Sequence, residues 1–200
     1  MIVAGVVDFA GNYLERGTVD IAALSAELSK LSDEDWLADR FRQETYPAHR
    51  DTQTIPLLFD ADFRHAEPTR RESYARFAHV IEPIHDVIAG CFGNAGWIVR
   101  SLLVRLRPGG AIPPHVDDGF SLTNSHRLHI AVVTNAHALF RVGGELRHLK
   151  PGDVVEINNR RKHSASNDGA APRVHLICDW APDVRKSGDG EAQVPGSAGG

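Results

Sequence analysis

Cysteine is scarce in this chain of 200 residues: only Cys91 and Cys178 are present. Two cysteines do not make a disulfide framework, and the apolar stretches around both predict buried thiols in a reducing compartment. Long apolar runs are missing as well; none approaches the roughly 20 residues that span a bilayer. The opening "MIVAGVVDFAGN" is apolar but lacks a basic flank and is interrupted by Asp8, so it reads as a first strand and not as a signal peptide. A basic excess is also absent. The net charge is -4, which removes the electrostatic case for nucleic acid, and the short run "RRKH" (160–163) reads as solvated surface. No Ser/His/Asp or paired-glutamate motif and no internal repeat stand out. These absences predict a cytoplasmic chain with no membrane partner. The oligomeric state stays open.

What is present suits one domain with a sizeable core: 42% of residues are hydrophobic and 24% charged. The expected domain covers residues 1–182, with a helical front over about 18–92 and a β core over about 96–181. Residues 183–200, Gly/Ser-rich and without periodicity, are expected to be disordered. In "TVDIAALSAELSKLSDEDW" (18–36), Ile21, Leu24, Leu28 and Leu31 recur at helical steps, with Thr18 or Asp20 as the cap. Residues 42–60 look extended. A second helix is predicted over 70–91, with Tyr74, Phe77, Ala78, Ile81, Ile84, Ile88 and Cys91 on one face and a kink or break at Pro83.

After Gly93 the texture changes to short β-branched runs at 96–110, 127–134, 138–149, 152–158, 163–167 and 172–180, separated by Gly/Pro/Asn/Asp turns. Such spacing predicts a sandwich or barrel. Within it, "PPHVDDGF" (113–120) carries His115 and Asp117. On a strand, residues two apart face the same way, so an imidazole and a carboxylate there can share one cation. A third ligand would complete the facial triad of non-haem Fe(II) sites. Of eleven histidines, His163 is the best placed, at the start of "HSASN"; His129, His148 and His175 lie inside strands with apolar neighbours. An antiparallel hairpin through "NDGAAP" would return Arg173 beside His163, where its guanidinium can fork onto a carboxylate. His49 and Arg50 could reach substrate, with surface the preferred reading, and Asp118 reads as solvated or at the pocket rim.

The run His115-x-Asp117, Arg127-Leu128-His129, His163 and then Arg173 resembles the aspartyl/asparaginyl β-hydroxylase family of Fe(II)- and 2-oxoglutarate-dependent oxygenases. "RLHIAVVTN", "GDVVEINN…H" and "PRVHLICDW" resemble its strand motifs, and the likeness covers about residues 97–181. The resemblance implies a mainly β double-stranded β-helix (jelly-roll, cupin-like) with N-terminal helices. It implies Fe(II) on His115, Asp117 and His163, 2-oxoglutarate anchored by Arg173 with further contacts from Arg127 and His129, and O2 as oxidant. Aspartate at 117 is similar to the bacterial members, which include proline cis-hydroxylases; animal members have glycine there. A serine that binds co-substrate in some members is replaced by Val104. The implied reaction hydroxylates an unactivated carbon of an amino acid, an aspartyl/asparaginyl peptide or a small metabolite, with release of succinate and CO2. The primary substrate, small-molecule or peptidyl, should be set by the front half and the 116–126 loop. Two rivals are a cupin-like metalloenzyme that does not use 2-oxoglutarate and a non-catalytic β-helix binding domain.

Overall fold

The computed structural model describes residues 7–60, 64 and 68–183. Strand β1 (Tyr13–Thr18) precedes helices α1 (Ala22–Leu28), α2 (Asp33–Leu37) and α3 (Phe41–Thr45) and a single 3-10 turn at Pro47–His49. Then come β2 (Thr52–Phe59), β3 (Thr69–Arg70), the long helix α4 (Tyr74–Cys91) and β4 (Gly96–Leu106). Strand β5 (Ala111–His115) and the short α5 (Phe120–Thr123) lead into β6 (His126–Val133). The hairpin β7 (Ala138–Val142) and β8 (Glu145–Arg147), then β9 (Asp153–Ile157), β10 (His163–Asn167) and β11 (Arg173–Pro182) complete the order.

The first strand is β1 and not the opening stretch. Residues 1–6 of that expectation lie outside the described residues, and 7–12 are irregular. The helix expected over 18–36 is two helices. Asp20 accepts from the Ala22 N–H at 2.9 Å to start the first. Ser32 and Asp35 form a reciprocal capping box that starts the second, and this needs extended backbone at Ser32, so one helix cannot pass through. The front of the 42–60 segment is helical for a similar reason: Asp39 Oδ1 accepts from the Phe41 N–H at 3.0 Å. Helix α4 runs through Pro83 as one element. Proline forfeits one backbone bond there, and burial of Phe77, Ile81, Ile84 and Ile88 outweighs it, each worth about 1.5–3 kcal/mol. Cys178 is buried as expected, but Cys91 is only half-buried. Of the expected disorder over 183–200, Asp183 is instead buried and donates its N–H to the Ala95 carbonyl at 3.0 Å, and 184–200 lie outside the described residues.

The strands form a seven-stranded sheet, in order β1-β9-β6-β11-β4-β2-β3, and a four-stranded sheet, in order β5-β10-β7-β8. Side-chain alternation gives the larger sheet two faces. Leu103, Leu128, Ile130 and Leu176 point to the helices and pack with Leu24, Trp36, Phe77 and Ile81. Leu106, Ala131 and Val155 point to the small sheet and pack with Ile112, Phe140 and Ala165. The central strand β11 is therefore buried almost throughout. The mainly β architecture with N-terminal helices is present, but no backbone ladder closes the two sheets into a barrel among the described residues. The small sheet ends in β5, where Pro113 and Pro114 remove two N–H donors; prolines belong on such edges.

Candidate metal centre

The two prolines also explain how the first histidine is aimed. Strands β5 and β10 pair His115 with His163 and Ile112 with Ala165, so β5 carries one extra residue between the pairs. Without that bulge, strict alternation would send Ile112 and His115 to opposite faces. With it, Ile112 enters the core while the ring centroids of His115 and His163 lie 4.2 Å apart. Asp117 follows two residues later, its N–H donating to the Asn159 carbonyl at 3.2 Å, which ties this loop to the one before β10.

The two imidazoles are oriented alike. His115 Nδ1 lies 2.9 Å from the Pro113 carbonyl, and His163 Nδ1 lies 3.0 Å from the Arg161 carbonyl. A carbonyl only accepts, so each Nδ1 carries the proton and each Nε2 keeps its lone pair. Those Nε2 atoms lie 3.8 and 3.7 Å from the Asp117 carboxylate, and the three ligand atoms fall within 4.8 Å of one another. Burial, the largest influence on His163, lowers its pKa and favours the neutral form that binds metal. At Asp117 burial alone would raise the pKa. Arg127, with His163, His115 and Arg42, outweighs it and holds the carboxyl below its usual range. Two imidazoles and one carboxylate at the end of a small sheet are the donor set of non-haem iron sites with open positions.

Arg127 spans two carboxylates. Its Nη1 donates to Asp117 at 2.7 Å, while Nε and Nη2 fork onto Asp179 at 2.8 Å each. Arg100 pairs with Asp60 at 2.7 Å, and Ser121 of α5 donates to the same aspartate. This buried chain holds the 116–125 loop against the large sheet. Burial would lower the Arg127 pKa, but Asp117 and Asp179 raise it above the ordinary arginine value.

The expected route to Arg173 is not the one taken. Strand β10 has both edges occupied, by β5 and β7, and β11 by β4 and β6, so the two strands lie in different sheets. The loop between them crosses from sheet to sheet. Buried Asn167 clamps that crossing by donating to the Leu106, Arg107 and Ala171 carbonyls. Arg173 therefore meets the site from the opposite wall. It is 3% exposed, its guanidinium carbon 5.6 Å from the centre of the Phe140 ring, which is itself 6.3 Å from that of His163. Its Nε donates to His175 Nε2 at 3.0 Å, so the two side chains share one face of β11. Buried His129 lies 3.3 Å from His175 between Nδ1 atoms, and burial, with Arg173 and Arg127 nearby, pushes its pKa well down. No carboxylate among the described residues pairs with Arg173, and burial lowers its pKa to about 9. Val104 packs with Leu102 and Ile177, an apolar contact where the family serine would be polar.

Above the three ligand candidates opens a pocket of about 420 Å³, with His115, Asp117, Arg127, Arg42, His49 and Asp118 in its wall. Asp118 is exposed at this rim, as expected. His49 is not surface. Its ring centre lies 5.7 Å from that of His115, and burial, then Arg42 and His115, lowers its pKa to about 3. Arg42, Asp60, Arg100 and Asp179 were not singled out from sequence. Alternation along β11, which puts 173, 175 and 179 on one face, was the available signal for Asp179.

Fold and donor set together define a non-haem oxygenase-type enzyme. Residues 20–182 match the family described as aspartyl/asparaginyl beta-hydroxylase, and the chain belongs to that family. No curated protein matches the sequence. In fold, the chain is similar to an oxidoreductase of the 2OG-Fe(II) oxygenase family from Burkholderia pseudomallei. The TM-score is 0.51 at 15% identity, over 82% of this chain and 90% of that one. It is also similar to the non-heme monooxygenase ThoJ, solved as a nickel complex, with TM-score 0.52 at 15% identity, over 86% of this chain and 74% of that one. No helix among the described residues is long and apolar enough to cross a membrane.

Proposed function

We propose that the chain is an Fe(II)- and 2-oxoglutarate-dependent dioxygenase that hydroxylates an unactivated carbon of an amino acid, an aspartyl/asparaginyl peptide or a related small metabolite. The observation that carries this is the convergence of two Nε2 lone pairs and the Asp117 carboxylate from β5 and β10. In this reading His115, Asp117 and His163 hold the metal, and the two sheets are the halves of a double-stranded β-helix. Arg173 binds the far carboxylate of 2-oxoglutarate. A buried guanidinium without a protein carboxylate supports that role, because its burial is costly until an anion arrives. His129, held neutral, lines the way between Arg173 and His163 and contacts the same co-substrate without adding charge. Arg127 fixes one oxygen of Asp117 and so orients the carboxylate toward the metal.

Bound iron, 2-oxoglutarate and O2 would supply the oxidation: one oxygen atom enters the substrate C–H bond and the other enters succinate, with loss of CO2. The chain supplies position, a ligand set of two imidazoles and one carboxylate, and a pocket with apolar walls. The test is succinate release with Fe(II) and 2-oxoglutarate over free amino acids, peptides and acyl derivatives. Substrate-dependent succinate is expected. Turnover that proceeds without 2-oxoglutarate would instead favour the cupin-like metalloenzyme, and iron binding without any turnover the binding domain.

A further inference from the structure

Among the described residues, Arg42 in the pocket wall has no carboxylate partner. Arg127 is committed to Asp117 and Asp179, and Arg100 to Asp60. Arg42, on the short helix α3, forms no ion pair among the described residues. Its Nη2 donates to His49 Nε2 at 3.0 Å and its Nη1 reaches Thr54 Oγ1 at 3.4 Å. Both partners are neutral. Arginine only donates, so His49 Nε2 must accept and the ring proton must sit on Nδ1. That Nδ1–H is buried and has no acceptor among the described residues. A guanidinium without an anion and an enclosed donor without an acceptor thus share one wall of the pocket. Both deficits are met by the same kind of group, a planar anion that takes hydrogen bonds from a fork.

The neighbours narrow the class further. Asp117 and Asp118 line the same pocket, so a doubly charged phosphate would meet two carboxylates, whereas a single carboxylate meets less repulsion. Phe59, Leu102, Val116 and Leu122 make the rest of the wall largely apolar. A volume of about 420 Å³ suits a small molecule. From this geometry we infer that Arg42, supported by His49, binds the carboxylate of the primary substrate, a small acid with an apolar body. This rests on the oxygenase reading above, in which 2-oxoglutarate occupies Arg173 and leaves Arg42 for the substrate. The carboxylate can come from a free amino acid or from a simple aliphatic acid.

The test uses full-length protein loaded with Mn(II) and 2-oxoglutarate under argon. Thermal shift and equilibrium dialysis are run with free amino acids and with aliphatic monocarboxylates, each against its own carboxamide, and with Asp- and Asn-containing peptides. The wild-type protein should be stabilised by at least one acid and bind its carboxamide at least tenfold more weakly. R42Q should lose at least tenfold in affinity for that acid while keeping its response to Mn(II) and to 2-oxoglutarate. Which arm contains the binder tells the two sources apart. Equal binding of acid and carboxamide overturns the inference on wild-type protein alone, even if R42Q does not fold. So does unchanged acid binding in R42Q, a loss confined to 2-oxoglutarate, a peptide preferred over every free acid, or no acid bound at all. Failure of the oxygenase reading is distinct: wild-type protein would then not respond to Mn(II) or 2-oxoglutarate.

Discussion

Two arginines lie buried on the inner face of the same sheet and are partnered in opposite ways. Arg127 on β6 holds two aspartates with three hydrogen bonds, whereas Arg173 on β11 faces imidazoles and a phenyl ring. The carboxylates lift the pKa of the first above the ordinary value; burial drops that of the second to about 9. A buried charge that is already paired serves the protein's own geometry. One left unpaired is a cost to the unliganded fold and is recovered only when an anion binds. In the proposed reading, the contrast gives Arg127 a positioning role and Arg173 a recognition role.

The sharpest way to break this comparison is to delete each guanidinium. Arg127→Met should destabilise the protein by about 3–5 kcal/mol in urea unfolding, because Asp117 and Asp179 are left buried and unpaired. A smaller loss for Arg127→Met than for Arg173→Met would invert the assignment. Asp117→Ala should weaken Fe(II) binding by more than about 100-fold, beyond the loss seen when only a supporting partner is removed. Full activity in that variant would mean that two histidines suffice. Arg173→Met should leave the unliganded protein as stable or slightly more stable, yet cost about 2–3 kcal/mol in 2-oxoglutarate binding. Arg173→Lys keeps the charge and loses the fork, so it should fall between that variant and wild type.

Smaller effects come from the neutral histidines beside Arg173 and Arg42. His49, His129 and His175 all have folded pKa values below the unfolded histidine value, so the unfolded chain binds more protons as pH falls below about 6.5. Stability should therefore be lost between pH 6.5 and 5, by up to about 1.4 kcal/mol per pH unit for each histidine. His129→Gln should flatten that slope in urea titrations at several pH values. The smallest change is Ser121→Ala, which removes one bond to buried Asp60; about 1 kcal/mol of stability should go, with Fe(II) binding kept.

Local pattern carried much of the sequence reading. His115 and Asp117 were legible from their His-x-Asp spacing, although β5 ends at His115 and Asp117 stands in the loop after it, and the bounds of β10 followed from the turns on either side. For Arg173 the expected route, a hairpin with β10, is not the one the fold takes. Its neighbourhood depends on which strands fill each edge, and nothing between residues 163 and 173 records that β10 and β11 belong to different sheets. Arg42 was missed, and His49 was read as surface in preference to a substrate contact, for a related reason. On a short helix and a single turn, without periodicity, they look like surface until α3 is laid over β2.

By itself, then, the sequence determined a mainly β chain with front helices, the His-x-Asp step with a distant histidine, and membership in one hydroxylase family. Those features are set by alternation, turn chemistry and residue type, all of which act over a few residues. Only the tertiary structure decided that the two sheets stay open, that Arg127 is saturated while Arg173 and Arg42 are not, and that His49 stands beside His115. Each of these depends on which side chains meet across hundreds of cubic ångströms of packed interior. There burial makes an unmatched charge costly, and the identity of the neighbour decides whether it is matched.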